Sequence, residues 1–185
     1  DIERFAKIKD NLVIASTGEY ADFQEIKRKL KNLKKQSFLY DDGIDYSVQE
    51  YAHYLSKLSY DQRNKMNPYF NSTVIGGFDN GKPFVGYVDV HGDFLIKDCA
   101  IVGFGRHFCN PILSRNWSPE SGEDETKELL KQCFEVLFVK DCHASDSIQF
   151  AVIDSNGVRI ENPFKIVSKW QIKGIADRAN EKLWQ

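Results

Sequence analysis

Ser16-Thr17-Gly18-Glu19-Tyr20-Ala21-Asp22-Phe23-Gln24-Glu25-Ile26 is the stretch on which the fold turns, because one hydrophobic period stops inside it and another begins. Upstream, Phe5, Ile8, Leu12, Val13 and Ile14 form a short apolar run rich in β-branched residues, which predicts one or two strands. Downstream from Tyr20, the residues Phe23, Ile26, Leu30 and Leu33 recur at helical intervals. Lys27, Arg28, Lys29, Lys31, Lys34 and Lys35 fill much of the rest, so the segment reads as an amphipathic helix. A second helix follows the turn residues Asp41-Asp42-Gly43. Ser47 is placed to cap it, Glu50 holds the capping-box position, and Tyr51, Tyr54, Leu55 and Leu58 form its stripe.

After Pro68 the period returns to two. Thr73 to Phe78 and Pro83 to Val90 read as strands around Asp79-Asn80-Gly81-Lys82, a hairpin turn. A turn at His91-Gly92-Asp93 leads into Phe94-Leu95-Ile96, and Cys99 to Gly103 is expected to extend the antiparallel run. A short helix is expected over Asn110 to Trp117, then a loop over Ser118 to Asp124 and a helix over Glu125 to Lys140. Strands are expected at Ile148 to Ile153 and Val158 to Ile160, joined at Asp154-Ser155-Asn156-Gly157, with a last helix from about Trp170 to Leu183. Helices in pairs between antiparallel runs do not build an alternating parallel sheet. They suit helical layers flanking two packed sheets, an α+β, four-layer αββα sandwich. No repeat, linker or compositional break divides residues 1–185, so a single domain is expected.

Composition narrows the function classes. The chain has 185 residues, 42% hydrophobic and 13% aromatic, enough for one core without metals or disulfides. Lys and Arg number 25 against 27 Asp and Glu, a formal charge of −2, which gives no bulk attraction to nucleic acid or an acidic membrane. Phe134 to Val139 is among the longest apolar runs and is far too short to span a bilayer. Cys99, Cys109, Cys133 and Cys142 show no CxxC spacing, so free thiols in a reducing compartment are expected.

Thr17-Gly18-Glu19-Tyr20-Ala21-Asp22 resembles the Gly-x-x-Ala-Asp strand-to-helix signature of beta subunits of the 20S proteasome. Lys65-Met66-Asn67-Pro68, Thr73 to Phe78 and Phe84-Val85-Gly86-Tyr87-Val88-Asp89 resemble one non-catalytic subtype of that family. The likeness runs from about Arg4 to the final helix. It implies the N-terminal-nucleophile hydrolase fold, here without its first strands. Catalysis in that family needs a threonine at the mature N-terminus, whose own amine accepts the hydroxyl proton. This sequence begins with Asp1, and Thr17, Thr73 and Thr126 are internal.

The resemblance also points to three altered positions inside the chain. An ungapped match places Arg4 where catalytic members carry a pKa-lowering lysine, and arginine neither titrates nor fits as lysine does. Gly103-Phe104-Gly105-Arg106 stands where they carry Gly-Ser-Gly-Ser. Asp141 is kept, but Ala144 takes the place of a serine and Ser145-Asp146 that of glycines. The implied function is a non-catalytic structural subunit of the core particle, part of a beta ring in the ATP- and ubiquitin-dependent degradation machinery of cytoplasm and nucleus. It implies no catalytic, cofactor-binding or metal residues. The implied partners are neighbouring beta subunits, an alpha-ring subunit and beta subunits of the opposite ring, in a hetero-oligomeric twenty-eight-subunit particle, with no nucleic acid and no membrane. Ala179 to Gln185 is the candidate arm for the cross-ring contact. The competing readings are an active threonine endopeptidase whose N-terminal segment lies upstream, and a free-standing small-molecule-binding or thiol-hydrolase domain.

Other chemistries have ordinary counterparts. Asp141-Cys142-His143 contains the residue types of a cysteine nucleophile, but adjacent side chains are expected to diverge. Gly103-Phe104-Gly105 lacks the further glycines of a phosphate cradle and suits a tight turn. His53, His91, His107 and His143 have no ligand spacing. The basic run Lys27 to Lys35 alternates with leucines, as a solvated helix face does.

Overall fold

The computed structural model describes residues 2–40, 43 and 45–167. The turn residues Asp41 and Asp42, the expected last helix and the candidate arm at Ala179 to Gln185 therefore lie outside the described residues. Strands β1 (Phe5–Lys9) and β2 (Leu12–Gly18) form a hairpin, followed by helices α1 (Tyr20–Tyr40) and α2 (Val48–Asn64). Then come β3 (Asn71–Asp79), β4 (Lys82–Val88) and β5 (Phe94–Ile96). These strands make one antiparallel sheet in the order β1-β2-β3-β4-β5.

Register decides what each face buries. Ile14 stands opposite Ile75 and Ser16 opposite Thr73, so Leu12, Ile14, Ser16, Asn71, Thr73, Ile75 and Gly77 share a face, partners opposite each other always pointing the same way. Helices α1 and α2 cover that face with Phe23, Ile26, Leu30, Tyr51 and Leu55, all almost fully buried. Each such side chain contributes about 1.5–3 kcal/mol of burial. A Cβ on Gly77 would strike Val48 of α2, so glycine sets how closely that helix approaches. Ser47 caps α2 as expected, its hydroxyl accepting from Glu50 N–H while the Ser47 N–H donates to Glu50 Oε2.

The chain then forms α3 (Gly105–Asn116) and α4 (Glu123–Lys140), which pack on each other through Cys109, Leu113, Leu129 and Cys133. A ribbon of β7 (Ala151–Asp154) and β8 (Gly157–Ile160) follows, framed by the short pair β6 (Ser147–Ile148) and β9 (Phe164–Lys165). Ile153 of β7 meets Gly76 on the sheet face opposite the α1–α2 layer. On its other side the ribbon is tied to α4, where Arg159 holds Glu123 at 2.9 Å and Lys127 bonds Glu161.

Four expectations needed correction, the first being the strand over Ile148 to Ile153, which is broken at Gln149 and Phe150 into β6, paired with β9, and β7, paired with β8. Cys99 to Gly103 is not a strand: the last rung of the sheet is Lys97 N–H to Val85 O, and Cys99 and Ile101 pack instead on the α3–α4 core. Helix α3 begins at Gly105 rather than Asn110, because Pro111 sits inside the helix and not at its first turn. Helix α4 starts two residues earlier than expected, with the Gly122 N–H donating to Glu125. Among the described residues no helix is long and apolar enough to cross a membrane.

Candidate functional site

The corner between β2 and α1 is built on close backbone approach. Gly18 has φ +98°, and a Cβ there would lie 2.0 Å from the Phe70 carbonyl oxygen, so only glycine fits. That carbonyl accepts from Glu19 N–H at 3.0 Å, and the Phe70 N–H donates to Asp22 Oδ2 at 3.0 Å. Buried Asn71 donates to both Thr17 O and Glu19 O at 2.9 Å. The Gly-x-x-Ala-Asp residues thus have a mechanical task. Gly18 admits the Phe70 carbonyl, and Asp22, in the first turn of α1, accepts the neighbouring N–H where the helix dipole favours a carboxylate.

Arg4 lies beside this corner. Its Nη1 donates to Gly18 O at 2.8 Å and its guanidinium sits 5.5 Å from the Tyr20 ring centroid. Thr17, on the sheet face away from α1 and α2, packs against Gly103, whose φ is +70° and whose missing Cβ would stand 3.1 Å from Thr17 Cγ2. Phe104 begins α3 without a side-chain cap bond, half-exposed and in ring contact with His107 and Phe108. Arg106 and Lys97 both lie over the Tyr87 ring, at 5.4 and 6.0 Å. Gly105 is buried beside Leu137, one helical turn before Asp141.

Asp141 ends α4 and accepts the His143 N–H at 3.0 Å, while its own carbonyl accepts Ala144 N–H. Ser145 Oγ accepts Ser147 N–H, and Asp146 pairs with Lys165 at 3.3 Å. The structure therefore brings Arg4, Thr17, Gly18 and Gly103 together. No hydrogen bond or ion pair among the described residues joins Arg4, Phe104 or Arg106 to Asp141. Arg4 keeps a permanently charged guanidinium, and Phe104 and Ala144 carry no polar side-chain atom.

Asp141, Cys142 and His143 depart from expectation. Their ligand atoms converge to within 4.8 Å, with Cys142 Sγ 3.4 Å from His143 Nδ1. Adjacent side chains diverge on a regular strand, but here the bend after α4 lets them meet on an exposed loop. A sulfur, an imidazole nitrogen and a carboxylate suit a zinc-like ion in type. The other thiols differ. Burial pushes Cys109 up, and burial together with the neighbouring Cys109 pushes Cys133 up to about 12. Cys109 Sγ donates to Cys133 O at 3.4 Å, so both serve packing between α3 and α4. Sequence reasoning missed Asn71 and Tyr87, whose roles depend on partners distant along the chain.

Residues 1–153 match the family model for proteasome subunits. The chain is 34% identical to proteasome subunit beta type-4 of Arabidopsis thaliana, over 92% of this chain and 70% of that protein. It is likewise 34% identical to the beta type-4 subunit of Dictyostelium discoideum over 89% and 64%, and 30% identical to that of Xenopus laevis over 93% and 72%. The chain thus spans between 64% and 72% of the length of these relatives.

Proposed function

The chain belongs to the proteasome subunit family, and from that membership we propose that it is a non-catalytic structural subunit of the 20S core particle, of the beta type-4 kind. The observation that carries the reading is Arg4. Its guanidinium is committed to the Gly18 carbonyl at 2.8 Å and to the face of Tyr20, at the position where the match to catalytic members calls for a lysine. Phe104 and Ala144, in place of hydroxyl-bearing residues, support the same conclusion. The chain's work is then geometric: it closes a beta ring, touching neighbouring beta subunits, an alpha-ring subunit and the opposite beta ring, in the cytoplasm and nucleus. The contacts of α1 and α2 with one sheet face, and of the β7–β8 ribbon with the other, support a four-layer αββα sandwich in which α3 and α4 form the outer layer beyond the ribbon.

The test takes the chain from its native particle, determines its N-terminus, and exposes the particle to a peptide epoxide that couples to N-terminal threonine. The expected result is label on catalytic neighbours and none on this chain. A labelled N-terminal threonine on this chain would overturn the proposal.

A further inference from the structure

Between the edge strand β1 and the second half of α1 runs a groove of about 640 Å³, lined by Lys7, Ile8, Lys9, Lys34, Phe38 and Leu39, with Lys31 and Lys35 completing its basic wall. Lys34 and Lys35 lie three and four residues after Lys31 and four and three before Phe38, so the four share a broad face of α1. Sequence alone reads these lysines as a solvated face, but their surroundings argue for more. Lys7 is paired with Asp10 at 2.9 Å and Lys9 with Asp45 at 2.6 Å, whereas Lys31, Lys34 and Lys35 make no direct ion pair among the described residues, Lys34 acting on Asp10 only at longer range. Among the described residues, five lysines thus face two carboxylates.

Immediately beyond them Phe38, Leu39 and Tyr40 are 83, 76 and 75% exposed, three consecutive large side chains offered to water at one end of the groove. Lysine on an edge strand is a common device against unwanted strand pairing, which accounts for Lys7 and Lys9. It does not account for three unpaired lysines on a helix beside an uncovered aromatic and aliphatic cluster.

We propose that this groove docks an acidic segment of a neighbouring subunit, one apolar side chain seated on Phe38 and Leu39 and its carboxylates meeting Lys31, Lys34 and Lys35. Charge complementarity selects the partner. The excess of positive charge calls for carboxylates, while the apolar floor suits a protein side chain better than a nucleic-acid backbone. The inference rests on the reading of the chain as a subunit of an assembly.

Its test uses the full chain carrying photoreactive benzoylphenylalanine in place of Phe38, assembled into core particles, irradiated and mapped by mass spectrometry. In parallel, Lys31→Glu/Lys34→Glu/Lys35→Glu is compared with a charge-matched control on other surfaces, Lys57→Glu/Lys65→Glu/Lys82→Glu, after both are shown to fold by circular dichroism. The expected adduct lies on a neighbouring subunit within a segment holding at least two Asp or Glu residues. Incorporation of the groove variant should fall roughly tenfold or more, and that of the control less than about twofold. An unsubstituted chain that fails to enter particles would refute the subunit reading itself. An unsubstituted chain that enters, alongside a groove variant that enters equally well or an adduct on a segment without carboxylates, would refute the groove alone. Tight binding of a fluorescent oligonucleotide, abolished by the groove substitutions while incorporation is unchanged, would assign the groove to nucleic acid and overturn the proposal.

Discussion

Replacing Gly18 with alanine tests whether the β2–α1 corner is set by backbone contact. Two costs add. An L-residue at φ +98° sits in the left-handed region, at about 1–2 kcal/mol. The new methyl would also stand 2.0 Å from the Phe70 oxygen and 3.0 Å from its carbonyl carbon, both backbone atoms that cannot rotate aside. Relief requires the end of β2 and the Phe70 segment ahead of β3 to separate, an overpacking cost of about 1–3 kcal/mol. It also strains the Glu19-to-Phe70 hydrogen bond, worth about 1 kcal/mol. The expected total is about 3–6 kcal/mol, a large share of an ordinary domain stability of about 5–15 kcal/mol.

Gly81→Ala is the matched control. Its φ is +77° but nothing lies within 4 Å of the added carbon, so it should lose only the conformational part, about 1–2 kcal/mol. Urea unfolding of the two full-length variants, followed by circular dichroism, measures the difference directly, and thermal midpoints should separate by at least about 4 °C. Equal losses for the two variants would refute the contact argument. So would a Gly18→Ala protein within about 1 kcal/mol of the parent.

Three further outcomes are expected. Asn71→Ala strips the donor from two carbonyls at the same corner and should cost about 2–4 kcal/mol in the same unfolding assay, a loss under about 0.5 kcal/mol counting against the brace. Iodoacetamide at neutral pH should modify exposed Cys142 first and spare Cys109 and Cys133, whose raised pKa values leave little thiolate; peptide mapping that finds Cys133 alkylated as fast as Cys142 in folded protein would contradict the buried-thiol assignment. Hydrogen bonds from the Ser47 backbone and then its hydroxyl hold the Glu50 carboxyl below the usual glutamate range. Its contribution is therefore present above the unfolded-state value of 4.5 and lost as pH falls through the lower folded value, so the stability gap between parent and Glu50→Gln should be open at pH 7 and close under acid. A gap that persists unchanged at acid pH would show that charge on Glu50 is not what stabilises the cap.

The parts of the fold legible in the sequence were those fixed by local chemistry. Ser47 and Glu50 announce the start of α2 because both halves of the capping box lie within four residues. Asn80 and Gly81, with φ of 50° and 77°, supply the two left-handed residues that a tight hairpin requires. What failed was decided by distant packing. Cys99 to Gly103 is an apolar run that serves a sheet or a helix pair equally well, and only the position of α3 and α4 chooses. Helix α3 begins five residues before the expected Asn110, and Phe104 at its start makes no side-chain cap bond. The strands β6 and β9 are two residues each, too short to leave a period. At the site, Asn71 reaches across 54 residues to Thr17, and nothing near it in sequence signals that.

That division bears on what the family motif can mean. Gly18 and Asp22 are explained entirely by the corner they build: one admits the Phe70 carbonyl, the other receives the Phe70 N–H. A chain needs them to fold in this way whether or not it cuts peptides, so their presence speaks for the family and is silent about catalysis. Arg4, Phe104 and Ala144 are the opposite case. Lysine could occupy the position of Arg4 just ahead of β1, and serine that of Phe104 or Ala144, without any backbone conformation forbidding it. Because the fold leaves these positions free, the residues found there carry functional information, and it is on them that the proposed structural role rests.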